Sequence, residues 1–152
     1  MKYGNSLYAA AKSVSIAALL ALLAPSACSS SESAPLYLGS VSSATGVLRI
    51  DVKSAGGALT RGANVFEVRV TAVQGGQPLD GLGVSLVPWM PAMGHGTPVT
   101  SVIRPQGSGR YLVENVTFFM PGHWLLRMSF AAPAQGAKPP VSDSAMAEVD
   151  VP

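Results

Sequence analysis

Residues 64–73 alternate between apolar and polar positions. Val65 opens the run, Phe66, Val68, Val70 and Ala72 share one side, and Glu67, Arg69 and Thr71 share the other. A period of two marks a strand with one wet face. The same alternation recurs in residues 47–53 and in Leu82, Val84, Leu86 and Pro88, and residues 99–104 and 110–116 are read as further strands between turn signals. It returns in Trp124, Leu126, Met128 and Phe130 and again in residues 145–151. Turn-forming stretches separate these runs: Ala55-Gly56-Gly57, Gly75-Gly76-Gln77-Pro78 and Pro105-Gln106-Gly107-Ser108-Gly109. After the N-terminal apolar segment no helical period lasts three turns. About seven short strands therefore predict an all-β chain, folded as an immunoglobulin-like β-sandwich. It lacks the Cys-Trp-Cys spacing of antibody domains, and Met128 and Met146 are both expected in its core.

Two stretches interrupt the strand pattern. They are Pro88-Trp89-Met90-Pro91-Ala92-Met93-Gly94-His95-Gly96 and Met120-Pro121-Gly122-His123-Trp124. Together they hold both histidines, both tryptophans and three of the six methionines. Prolines and glycines at this density fix turns, so the sulfurs and imidazoles between them are carried on stiff backbone. Thioethers are soft and cannot be lost to protonation, so methionine sulfur with imidazole favours Cu(I) over zinc or calcium. Met93 and His95, mid-loop between small residues, are the first candidates. Met90, Met120 and His123 complete the set if both loops cap the same end of the sandwich. A packing alternative stands beside this: methionine fills irregular gaps, so Met90 and Met120 next to strand residues suit core plugs. His123 is equally placed to satisfy a backbone carbonyl, and Trp89 to shield a metal or form an interface.

The N-terminus reads as an export signal over residues 1–27. Lys2 and Lys12 supply positive charge, residues 14–23 are apolar, and no acidic residue precedes Glu32. The apolar run is short for a transmembrane helix. The single cysteine, Cys28, follows directly, and Leu22-Leu23-Ala24-Pro25-Ser26-Ala27-Cys28 resembles a bacterial lipoprotein signal, in which that cysteine becomes lipidated. Pro25 departs from the leucine-like residue preferred there, and an ordinary secretory signal leaving a free thiol is the other reading. Residues 28–46 are expected to be the lipidated cysteine and a flexible serine-rich tether, and residues 47–152 the folded domain. The partner implied is a membrane, reached through the lipid anchor.

Removing the signal removes the charge excess. Two of the ten basic residues are Lys2 and Lys12, leaving eight against eight acidic residues. No basic surface remains for nucleic acid, and one cysteine excludes an internal disulfide. No Gly-x-Ser-x-Gly elbow, phosphate loop or zinc pair occurs. Asp51, Glu67, Glu114 and Asp150 fall singly along strands as solvated positions. No enzymatic activity is expected.

A family resemblance enters at the motifs. Gly62-x-Asn64, Gln77-Pro78-Leu79-Asp80-Gly81-Leu82-Gly83-Val84, Met90-Pro91-Ala92-Met93-Gly94-His95, Gly109-Arg110-Tyr111 and Met120-Pro121-Gly122-His123-Trp124 are similar, in order and spacing, to the YtkA-like domain, also found in FixH-related proteins. The resemblance covers roughly residues 47–151. It implies an exported or membrane-anchored immunoglobulin-like domain in the periplasm or at the cell surface, working near copper handling and respiratory oxidase assembly. A copper acceptor or an oxidase component is the partner it suggests. A metal-free module, using the same loops as an apolar platform for an envelope partner, is the alternative.

Overall fold

The computed structural model describes residues 33–131 and 142–152. The expected signal, Cys28, the first part of the tether and the loop of residues 132–141 lie outside these residues. Nine strands form: β1 (Leu36–Ser42), β2 (Leu48–Ser54), β3 (Gly62–Ala72), β4 (Gly83–Met90), β5 (His95–Gly96), β6 (Val102–Gly107), β7 (Arg110–Phe118), β8 (Gly122–Ala131) and β9 (Ser142–Val151). They pair antiparallel in two sheets, β1-β2-β3-β7-β6 and β5-β4-β8-β9. The architecture is the all-β immunoglobulin-like sandwich that the alternation predicts. Among the described residues no helix is long and apolar enough to cross a membrane.

The inward faces carry the predicted residues. Ile50, Phe66, Val68, Val70, Val113, Val116, Phe118 and Leu126 are fully buried, with Trp124, Met128 and Phe130 beside them. Phe118 meets Trp124 edge to face at 5.3 Å between ring centroids, and Phe66 meets Phe118 at 6.2 Å. This aromatic column closes the core at the end where β7 passes into β8.

Three expectations need correction. Leu36–Ser42, read as part of the tether, is a strand pairing with β2. Its alternation is broken because the register shifts between Tyr37 and Gly39, and most of its residues stay exposed or half-buried. Met146, expected in the core, is 61% exposed. The inward set of β9 is Ala145, Ala147, Val149 and Val151, and period two puts Met146 on the opposite side with Ser144, Glu148 and Asp150. The strand expected over residues 99–104 begins at Val102 and runs to Gly107. Its Pro105 is tolerated because β6 is an edge strand.

The connection between β3 and β4 is clamped by Tyr111. Its phenol donates to the carbonyl of Leu79 (2.8 Å) and accepts from the amide of Leu82 (3.0 Å). The amide of Gly109 donates to Asp80 at 2.8 Å. Burial pushes the Tyr111 phenol up; the Leu82 hydrogen bond pulls it back and nearby Asp80 raises it again. A second clamp joins the start of β9 to the β1–β2 turn: Asp143, buried, accepts from the amide and hydroxyl of Thr45 and from the amide of Ser144.

Candidate metal centre

Both motif stretches lie at the same end of the β5-β4-β8-β9 sheet. The strand β4 ends at Met90, Pro91–Met93 make a single 3-10 turn, and β5 returns with His95 opposite Met90 and Gly96 opposite Trp89. Pro91 suits the first position of the turn because its missing N–H would find no partner there. Gly94 closes the turn in the left-handed region (φ 67, ψ 20), with its amide donating to Met90 (3.0 Å) and Pro91 (3.2 Å). Gly96 is equally constrained: a Cβ there would lie 2.7 Å from the carbonyl oxygen of Pro88.

The second stretch meets the first at Met90. A Cβ on Gly122 would lie 3.0 Å from the Met90 methyl group, so the Met90 side chain reaches across to the start of β8. Met90 is 7% exposed and belongs to the core. Met120 is half-buried and packs against that core, while its carbonyl accepts from the Trp124 indole at 3.1 Å. Both sulfurs therefore occupy the packing positions that the plug alternative assigns them.

Met93 and His95 differ. Met93 is 54% exposed and His95 is exposed, so neither side chain is enclosed by the core. The Nδ1 of His95 lies 3.1 Å from the carbonyl oxygen of Gly96. A carbonyl oxygen only accepts, so in the neutral form of the ring this contact puts the proton on Nδ1 and the lone pair on Nε2. His123 repeats the arrangement, with Nδ1 3.1 Å from Asp150 Oδ1 across the β8–β9 pair. A metal-binding imidazole commonly has its other nitrogen tied in this way, to a carbonyl or a carboxylate.

The five candidates do not form one cluster. Directly opposed residues share a sheet face, so His95 lies on the side of buried Met90, whereas His123 precedes buried Trp124 and projects from the outer face. The two histidines also stand two strands apart, about 10 Å between strand axes. Met90, Met93 and His95 share one hairpin, Met120 packs against the core from the other loop, and His123 pairs with Asp150 instead. Among the described residues no three His, Cys, Asp or Glu side chains gather as a metal site. Any site at this end draws on methionine sulfur.

On the outer face Arg127 stacks over Trp89, its guanidinium carbon 3.9 Å from the ring centroid. This contact, like His123–Asp150, depends on strand register and escaped sequence reasoning.

The sequence profile of the YtkA-like family matches residues 43–129, more than half of the 152 residues. The chain belongs to the YtkA-like family. Among curated proteins none matches. Of solved structures, this YtkA-like chain is similar to a copper-bound variant of FetP from uropathogenic Escherichia coli strain F11, with a TM-score of 0.53 and 11% identity over 77% of this chain and 97% of that one. It is similar also to copper-reconstituted P19 from Campylobacter jejuni, with a TM-score of 0.54 and 11% identity over 77% and 96% of the two chains. At such identity the likeness is one of fold.

The fold accounts for most of the YtkA-like motif residues in structural terms. Asn64, 7% exposed, accepts from the Thr60 amide and donates to the carbonyls of Thr60 and Gly62, holding the turn before β3. A Cβ on Gly109 would collide with the carbonyl of Val70. Tyr111 clamps the β3–β4 connection, and Pro91, Gly94 and Gly122 shape the two loops. Among the described residues Met93 is exposed and the Nε2 of His95 makes no hydrogen bond, so neither group is held by the fold.

Proposed function

We propose that this is an exported, lipid-anchored YtkA-like domain that binds copper, as Cu(I), through Met93 and His95 and delivers it to an acceptor or to respiratory oxidase assembly. The observation that carries the reading is the His95 imidazole. It is exposed, its Nδ1 lies 3.1 Å from the Gly96 carbonyl oxygen, and the exposed Met93 stands two residues before it in the same hairpin. A soft sulfur and a neutral imidazole nitrogen two residues apart suit Cu(I). Met90 and Met120, the other methionines of the two loops, pack in or against the core, and a rotamer change, which unbranched methionine makes readily, is what either would need to offer its sulfur. His123 lies on the other face and is assigned a secondary role.

Support for copper comes also from the neighbours in fold, the copper-bound FetP variant and copper-reconstituted P19. Export is supported by the signal-like N-terminus and by Cys28 at its end. The role is binding and transfer rather than catalysis.

A metal-free interaction module is the second reading, favoured by one observation: Met90 and Met120 pack into the core, leaving Met93 and His95 as the exposed sulfur and imidazole of the first loop. Titration of Cu(I) against a competing chelator separates the two. Stoichiometric binding that is lost in the Met93→Ala/His95→Ala double variant supports copper. Equal, weak uptake by both proteins supports the interaction module.

A further inference from the structure

We infer that the end of the sandwich bearing the two motif loops docks on the phospholipid surface, with Phe119 and Met93 seated among the headgroups. The inference rests on the acylation of Cys28 proposed above. Its first support is where the chain joins the domain. Ser33 and Ala34 run beside the turn that follows β2: a Cβ on Gly57 would lie 2.9 Å from the Ser33 Cβ and 3.4 Å from the Ala34 carbonyl oxygen. Leu36 and Leu38 then line a groove with Leu59, Val149 and Pro152, where β9 ends. Strand directions place this junction at the same end as Met90, Phe118 and Gly122.

Chain length turns that position into an orientation. Ser33 lies five residues after Cys28, a stretch that spans at most about 18 Å when extended. The eleven-residue strand β3 alone is about 36 Å long. An acyl chain on Cys28 therefore holds the motif end against the bilayer and keeps the opposite end in water.

The chemistry of that end fits a lipid surface. Phe119 is 48% exposed at the turn between β7 and β8, and Tyr37, at 54%, is the other exposed aromatic of the described residues. Leu36 and Met93 add exposed apolar surface at the same end. The loops Pro91 to Gly96 and Phe119 to Gly122 contain no Lys, Arg, Asp or Glu. Arg61 shares a shallow groove with Phe119 and is placed to meet phosphate, as cationic and aromatic residues do at membrane interfaces. The carboxylates of Glu148 and Asp150 lie on the β9 flank, so the molecule tilts to lower the β4–β5 and β7–β8 turns rather than β9. Docked this way, Met93 and His95 face a membrane-embedded acceptor directly.

Spin labels on the full chain test the docking in vesicles of phosphatidylethanolamine and phosphatidylglycerol. Labels are placed at Phe119→Cys, at Met93→Cys and, at the far end, at Gln74→Cys. The mass of the intact protein establishes acylation of Cys28 first. Docking predicts an oxygen-to-nickel collision ratio several-fold higher at positions 119 and 93 than at position 74. An acylated protein with the same ratio at all three positions overturns the docking and leaves the anchor standing. A free thiol at Cys28 overturns the anchor, and the docking with it.

Discussion

The methyl group of Met90 occupies the space that a side chain on Gly122 would enter, at 3.0 Å from where its Cβ would be. One loop therefore sets the residue choice in the other. Gly122 also sits at φ +126, where side-chain-bearing residues are strained. The Met90 methyl is the far end of a flexible chain and yields cheaply, so the backbone dominates. Gly122→Ala is expected to lower stability by about 1–3 kcal/mol, read from the urea midpoint, with no change in slope.

Burial separates the methionines. Met90→Ala removes a core side chain and is expected to cost about 2–4 kcal/mol. Met93→Ala, on an exposed turn, is expected to stay within about 0.5 kcal/mol of the parent. Equal losses in thermal or urea unfolding would remove the distinction between plug and ligand on which the site rests.

Tyr111 joins β7 to the β3–β4 connection by a donated and an accepted hydrogen bond. Tyr111→Phe keeps the ring and leaves the Leu82 amide without its partner. The expected loss is about 1–2 kcal/mol. Hydrogen exchange would show it first at the Leu82 amide.

Asp143 gives the fold an acid limit. Burial pushes its carboxyl up, but hydrogen bonds from the hydroxyls of Ser43 and Thr45 and the amides of Ser144 and Thr45 outweigh this and hold it below the ordinary carboxylate range. A depressed folded value means that the unfolded chain binds the proton first. Its contribution is therefore complete above the unfolded value, about 3.9, and is lost as pH falls through the folded one. Asp143→Asn is expected to be less stable than the parent at pH 7, and the gap to narrow as pH falls below about 4. Urea midpoints of both proteins across that range check it; a constant gap would contradict the assignment.

Six of the nine strands of the described residues are legible in the sequence through a period-two apolar set; β6, an exposed edge strand, has none. The other two exceptions have physical reasons as well. In β1 the register shift at Tyr37 and Gly39 destroys the period, and β5 is two residues inside a tight hairpin. Met146 was legible in principle, since Ala145, Ala147, Val149 and Val151 share the opposite parity; the pull of a large apolar residue toward the core misleads there. Of the site, the loop chemistry can be read directly, and the shared end follows once the sandwich is assumed. The partition of the five candidates can be read in part: Met90 continues the parity of Leu86 and Pro88 and points inward, and His123 has the parity opposite to Trp124. The partner of His123 cannot be read, because His123 and Asp150 are 27 residues apart and meet only through the β8–β9 register.

The copper reading stands or falls on the ligands themselves. X-ray absorption at the copper edge of the Cu(I)-loaded domain measures them, compared with Met93→Leu and His95→Gln. Sulfur and imidazole scattering in the parent is predicted, with a sulfur contribution lost from the first variant and the imidazole contribution lost from the second. Unchanged spectra in both variants, or copper bound by oxygen and nitrogen alone, would contradict a site built on Met93 and His95.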